Sequence, residues 1–338
     1  MKKKILIAGG AGYVGSHCTK AIAEAGYEPV ILDTLENGHR QFLKWGRFHN
    51  VDIRDRAAVR DVFEHERPDG VLLCAALIEV KDSQNQTIRY YDYNVAGAIS
   101  LIEAAEATGV GAFVFSSTCA VYGIPERTPL DETLPMKPIS PYGRTKYLVE
   151  NILADMREFR NFPAMSLRYF NAAGSAWKDG IGERHQPETH AIPLAIQAAL
   201  GRRDGFKIFG TDYDTPDGTA VRDYIHVLDL ADAHVKAIDY LLAGNPGDVI
   251  NLGTGHGNSV RQLVDAIAEI SPTGFRVTEE PRRPGDPDIL VADNSKAKRV
   301  LGWSPKHSFK DIVESAWHWH TEVEPRLFED ETARPLVQ

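Results

Sequence analysis

Tyr142 and Lys146 stand four residues apart in Ser140-Pro141-Tyr142-Gly143-Arg144-Thr145-Lys146. On a helix that spacing puts a phenol and an ammonium on one face. A nearby cation draws a phenol's pKa down from about 10 toward the range that general-base work requires. Ser140 suits an N-cap and Pro141 the first helical position, so the sequence predicts a helix over 141–159 carrying both groups. Upstream, an apolar run from Ala112 leads into Ser116-Ser117-Thr118-Cys119-Ala120. A strand ending there sets hydroxyls at the carboxyl edge of a sheet, where ligands bind in parallel α/β folds. Thr118 then completes a Thr/Tyr/Lys set able to hold a substrate oxygen and move its proton.

A second constellation lies at the start of the chain. Gly9-Gly10-Ala11-Gly12-Tyr13-Val14-Gly15 follows the first apolar run and opens a helical pattern. Gly9, Gly12 and Gly15 permit a tight turn and let backbone approach a pyrophosphate, whose charge rests on free N–H groups at the helix N-terminus. Asp33 closes the next strand, in the window about 20 residues on where a carboxylate accepts from ribose hydroxyls. It would repel a 2′-phosphate, and Thr34 and Leu35 offer no cation to receive one, so NAD rather than NADP is expected. Asp52 and Ile53 follow a short strand over 47–51. They are placed to bracket an adenine ring by a hydrogen bond and an apolar face, or to be an ordinary loop carboxylate and its neighbour.

The elements that must position these groups alternate. Strand-length apolar runs at 4–8, 29–33, 70–74, 112–116 and 164–168 are separated by helical patterns at 15–25, 57–65, 95–108 and 141–159. Strand, helix, strand in repetition means parallel strands joined by right-handed crossovers. The fold class expected is α/β, a Rossmann-type doubly wound parallel sheet with a smaller substrate-binding lobe. Residues 1–170 form the NAD-binding domain and 171–338 mainly the lobe. Helical patterns at 229–242 and 260–270 flank a strand-like 248–252, so the chain should return to the first domain around 221–255, interleaving the two.

Composition limits the partners. The 338 residues carry 38 basic against 47 acidic side chains, a net charge of −9, without a long basic run; nucleic acid is not an expected partner. No stretch approaches the roughly 20 apolar residues of a membrane-spanning helix. Lys2 to Lys4 imitate a signal peptide's charged start, but glycines interrupt the apolar run at once, and a first strand fits better. Cys18, Cys74 and Cys119 are far apart in sequence and show no CxxC, so no disulfide framework and no metal site is expected, and a reducing, cytoplasmic setting fits. Trp317-His318-Trp319-His320 reads as helical aromatics beside a core.

With these residues in view, the chain resembles the extended short-chain dehydrogenases/reductases and, within them, the UDP-glucose 4-epimerase family. The likeness runs from Lys4 to about His318. It is carried by the glycine run, Tyr91-Asp92-Tyr93-Asn94-Val95, Ser116 to Gly123, Ser140 to Lys146, Leu167 to Asn171, Gly201 to Asp204, Val221 to Val227, Asn251-Leu252-Gly253 and Pro281-Arg282-Arg283. The resemblance implies NAD as cofactor and a UDP-sugar as substrate, inverted at C4 through a transient 4-keto sugar. It implies that Tyr142 is the base, Lys146 its electrostatic partner and ribose ligand, and Thr118 the accompanying hydroxyl. Tyr13, Val14, Asp33, Asn37, Asp52, Ile53, Cys74, Ala75, Ala76, Asn94 and Phe170 would line the cofactor. Asn171, His190, Arg222, Arg283, Asp286 and Leu290 would hold the nucleotide-sugar, the arginines as planar forks for diphosphate. A homodimer through a four-helix bundle, from 95–108 and 147–159 of each copy, is also implied.

Departures from the family pattern qualify the substrate. Ile78 stands where these enzymes often carry a lysine near the nicotinamide, and Lys81 comes three residues later. Leu290 occupies the position that gates the sugar 2-substituent, so UDP-N-acetylhexosamines are an alternative substrate. Nucleotide-sugar 4,6-dehydratases carry Asp-Glu after the active-site Thr, where this chain has Cys119-Ala120, which argues against water elimination. A catalytically silent dinucleotide sensor would need no Tyr/Lys pair.

Overall fold

The computed structural model describes residues 2–329 apart from 284; positions 330–338, the end of the expected lobe, lie outside the described residues. Seven parallel strands run side by side in the order Val249–Leu252, Ala164–Tyr169, Ala112–Thr118, Gly70–Leu73, Lys4–Ala8, Glu28–Asp33, Arg47–Asn50. The strand order reverses between Lys4–Ala8 and Gly70–Leu73, and a crevice for ligands opens at such a switch point.

Strand sequences such as Lys-Ile-Leu-Ile-Ala are continuously apolar because both faces of the sheet are covered. Successive side chains point to opposite faces. Ile5 and Ile7 join Leu72, Val114, Leu167 and Ile250 under the helices Tyr13–Glu24 and Val227–Leu242. Leu6 and Ala8 join Val71, Phe113 and Phe115 under Arg56–Glu66, Gly97–Thr108 and Pro141–Arg160. Ser140 caps the last of these through Gly143 N–H at 3.1 Å, with Pro141 in the first turn, as its sequence predicts.

After Tyr169 the chain builds a second core from Ala191–Ala199, Val260–Ile270 and Phe309–His318, with Phe206 and Ile208 beneath them. It also sends Val227–Leu242 and Val249–Leu252 back to the large sheet. Trp319 is fully buried beside Phe42 and Phe328, and His320 contacts Glu324 at 2.8 Å, so that aromatic stretch serves a core. Among the described residues no helix is long and apolar enough to cross a membrane.

One element differs from its sequence pattern. The helix expected from Val95 begins at Gly97, after a wider π turn over Asp92–Ala96. Hydrophobic spacing does not register one extra residue in a turn, and such turns recur where a side chain must be re-aimed. Here the turn carries Asn94, whose amide oxygen accepts from Leu77 N–H at 2.8 Å and whose nitrogen donates to Leu77 O and Thr145 Oγ1, each at 3.0 Å.

Candidate active site

The glycine turn lies at the switch point. Gly9 has φ +84°, open to glycine at little cost, and a Cβ there would meet Ala75 N at 2.5 Å. A Cβ on Gly15 would fall 2.0 Å from Gly9 O. Gly12 is different: its nearest neighbour would be Gly9 O at 3.4 Å, and it caps Tyr13–Glu24 without a side-chain hydrogen bond. An uncapped helix start with open space over its glycine suits a diphosphate. Asp33 lies beside this turn, accepting from Ala11 N–H at 3.0 Å and Leu35 N–H at 2.8 Å, while burial raises its pKa.

The other cofactor expectations fall in different places. Ala75 abuts Gly9, next to Cys74 and Ala76 on the segment leaving Gly70–Leu73. Val14 lies in the first turn of the helix and packs on the core, and Phe170 is buried. Asn37 is exposed. Ile53 packs against Gly97, but the Asp52 carboxylate is engaged by Arg54 at 2.6 Å; its sequence neighbour supplies the counter-charge that spacing left unassigned. Asn94 is likewise engaged by Leu77 and Thr145, tying the loop after Gly70–Leu73 to the helix of Tyr142. Tyr13 donates its hydroxyl to Gly174 O at 2.7 Å.

Thr118, the last residue of its strand, lies near enough to the Tyr142 phenol for its side chain to favour the ionised form, while its Oγ1 accepts from Ala120 N–H at 3.2 Å. Lys146 is buried, its ammonium donating to Ser116 O at 2.9 Å. The expected lowering of the phenol is not what the fold alone provides. Burial pushes Tyr142 up to about 12, against the nearby Thr118 hydroxyl, which acts to lower it. Burial also brings Lys146 down to about 8, opposed by Cys74 and Glu150. Desolvation disfavours both charged forms, and helical spacing carries no information about it.

Beneath this pair is a buried network whose members, Glu150 aside, fall in runs that carry the family likeness, where no role was assigned to them. Arg168 grips Glu150 through Nε at 3.0 Å and Nη2 at 2.5 Å and donates to Tyr122 Oη at 2.9 Å, which in turn donates to Asn251 at 2.7 Å. Ser117 donates to the same carboxylate. Glu150 lies one turn after Lys146, a spacing visible only once the helix is accepted. The fold also brings Cys18, Cys74 and His234 together, with ligand atoms within 4.8 Å. The sequence separation of the cysteines had suggested no such meeting; they lie on an element and its spatial neighbour, not on one local segment.

Of the residues expected to hold the nucleotide-sugar, Arg222 pairs with Asp286, Leu290 lies beside Arg222 in paired strands, and Leu290 shares one apolar cluster with Phe170 and Cys119. Asn171 donates to Asp223 O at 3.2 Å. Arg283 is exposed, its guanidinium 4.0 Å from the centre of the Phe209 ring, and Ile78 is exposed. His190 contacts Glu188 at 2.9 Å and Glu183 at 3.1 Å, with His185 in the same group. Burial opposes charge on His185, but these carboxylates outweigh it and push the imidazole up to about 10.

Known proteins resemble this chain in sequence and fold over most of its length. The pattern of the NAD dependent epimerase/dehydratase family matches residues 5–253. A UDP-glucose 4-epimerase of Rhizobium leguminosarum bv. trifolii is 55% identical over 316 residues, covering 94% of this chain and 97% of that protein. The crystal structure of UDP-glucose 4-epimerase from Brucella ovis in complex with NAD superposes with a TM-score of 0.92 at 42% identity, over 95% of this chain and 99% of that one. The UDP-Glc/GlcNAc 4-epimerase of Campylobacter jejuni does so with a TM-score of 0.84 at 40% identity, over 95% and 99%.

Proposed function

The chain belongs to the NAD dependent epimerase/dehydratase family, and we propose that it interconverts UDP-glucose and UDP-galactose by inverting C4 of the sugar, with NAD as cofactor. The observation that carries this reading is Tyr142 and Lys146 one turn apart on a helix, Lys146 holding Ser116 O at 2.9 Å two residues before Thr118, at the carboxyl edge of a sheet whose switch point holds an uncapped glycine turn. When bound, NAD would accept the C4 hydride and return it.

Tyr142 Oη takes the proton of the C4 hydroxyl and returns it after the 4-keto sugar has presented its other face. A phenol held near 12 is a poor base at neutral pH, and a cation brought beside it favours the phenolate. The Lys146 ammonium contributes one such charge and, with one proton on Ser116 O, keeps others for ribose hydroxyls. Thr118 orients the sugar oxygen. Arg222, Asn171, Asp286 and Arg283 anchor the UDP portion, with His190 and Leu290 beside the sugar. Firm anchoring of the nucleotide allows the sugar to turn without escaping. Cys119-Ala120, in the short turn after Thr118, offers no carboxyl group for dehydration.

A second copy is the partner proposed, through Gly97–Thr108 and Pro141–Arg160; Leu148 and Phe159 on the latter expose apolar side chains. Three free thiols support a cytoplasmic setting. Residues up to 170 form the cofactor domain and the remainder mainly the lobe, with the return strand Val249–Leu252 supporting an interleaved division.

Purified protein incubated with UDP-galactose and no added NAD should produce UDP-glucose. Folded protein that carries NAD and gives no conversion would refute the proposal. The same assay with UDP-N-acetylglucosamine tests how far Leu290 leaves room at the sugar 2-position.

A further inference from the structure

We propose that His234 is a positioning residue for this reaction: through Ser116 it fixes the strand carbonyl that holds the Lys146 ammonium. The inference rests on the reading of Tyr142 and Lys146 as the chemical centre.

Ser116 is gripped from both faces of the sheet. Lys146 comes from the helix Pro141–Arg160 on one face and donates to the Ser116 carbonyl at 2.9 Å. His234 comes from Val227–Leu242 on the other, with Nε2 2.9 Å from Ser116 Oγ. The imidazole's orientation is determined at its far side. Nδ1 lies 2.7 Å from Leu230 O, an acceptor only, so Nδ1 carries the proton and Nε2 must accept from the serine hydroxyl. Ser116 Oγ keeps a lone pair for the Cys74 thiol at 3.2 Å.

The result is a directed chain from Leu230 O to the strand residue that holds the lysine. Tyr169 abuts it, its ring centre 6.2 Å from that of His234. Packing does not explain a histidine there. His234 is fully buried, on a helix whose Leu230, Ala237 and Ile238 belong to the apolar core, where an aliphatic side chain would avoid desolvating an imidazole. Burial brings its pKa down to about 4, which keeps Nε2 an acceptor throughout the neutral range. A polar residue in that environment is explained by what it holds, and what it holds is the serine whose carbonyl fixes Lys146.

Two near-isosteric variants separate positioning from packing. Gln at 234 reaches the Nε2 position and can still accept from Ser116, whereas Asn reproduces only the Nδ1 side facing Leu230. With the melting temperature of each variant measured, His234→Gln should retain kcat within about 3-fold. His234→Asn and His234→Leu should lose about 100-fold in kcat, the scale of a small misplacement of a reacting group, with KM for UDP-galactose little changed. In those two variants the alkaline rise of the kcat–pH profile should also move to higher pH, because a displaced Lys146 no longer favours the Tyr142 phenolate. Ser116→Ala should match His234→Asn, and the Ser116→Ala/His234→Leu double variant should be no worse than either single change, as expected of residues acting in one chain. Equal activity of the Gln and Asn variants, additive losses in the double variant, or a loss confined to KM would overturn the inference. Full activity of Tyr142→Phe would instead remove the reading on which it rests.

Discussion

Acid should loosen the junction between the glycine-turn helix and the lobe, and His17 is the group through which it acts. This residue is fully buried. Its Nδ1 lies 2.7 Å from Tyr13 O, and its Nε2 accepts the Ala176 N–H at 3.1 Å. A second proton on Nε2 would face that N–H directly, and burial already disfavours the cation, bringing the pKa from 6.5 down to about 4. The folded state thus favours neutral imidazole. The contribution is complete above the unfolded pKa and is lost as pH falls from 6.5 toward 4. At pH 5 the unfolded imidazole is about 1.5 units below its pKa while the folded one is still neutral, and at about 1.36 kcal/mol per unit the loss relative to pH 7.5 is about 2 kcal/mol. His17→Gln preserves an acceptor for Ala176 and does not titrate. Urea unfolding at pH 7.5 and pH 5 should therefore show the native sequence losing about 2 kcal/mol more than the variant between the two conditions. Equal losses in the two proteins would refute the assignment of the proton to His17.

The remaining predictions concern the site itself. Tyr142→Phe should lower kcat by about 10²- to 10⁴-fold, the usual worth of a positioned acid/base, with KM for UDP-galactose nearly unchanged; steady-state kinetics check this. Glu150→Gln leaves Arg168 buried without its counter-charge, which costs about 3–5 kcal/mol in such pairs, so calorimetry should show a clearly lower melting temperature. The same change removes a carboxylate that supports the Lys146 charge, so the lysine should titrate below its present value of about 8. Gly12→Ala and Gly15→Ala should separate. The former meets only Gly9 O at 3.4 Å and should fold normally while retaining less NAD after purification, because its methyl enters the space over the helix start. The latter would place a methyl 2.0 Å from Gly9 O and should lower both stability and NAD content.

Some of the site was legible because local backbone geometry turns spacing into position. Four residues on a helix place Tyr142 and Lys146 on one face whatever surrounds them, and a strand followed by Gly9, Gly12 and Gly15 becomes a helix start open to an anion. Strand–helix alternation led to the sheet for the same reason, since parallel neighbours require crossovers. Exact helix onsets were less accessible: the π turn before Gly97 answers to Asn94 and its partners, not to hydrophobic spacing.

What only the tertiary structure decided is how those groups are charged and held. Ser116 and His234 meet across 118 residues of sequence, Arg222 and Asp286 across 64, and Tyr13 and Gly174 across 161; nothing local encodes such pairs. The spacing of Tyr142 and Lys146 suggested a lowered phenol, yet burial raises it to about 12 and lowers the lysine to about 8. Distance along the chain fixes which groups share a face, whereas the cost of charging them depends on the solvent that folding removes.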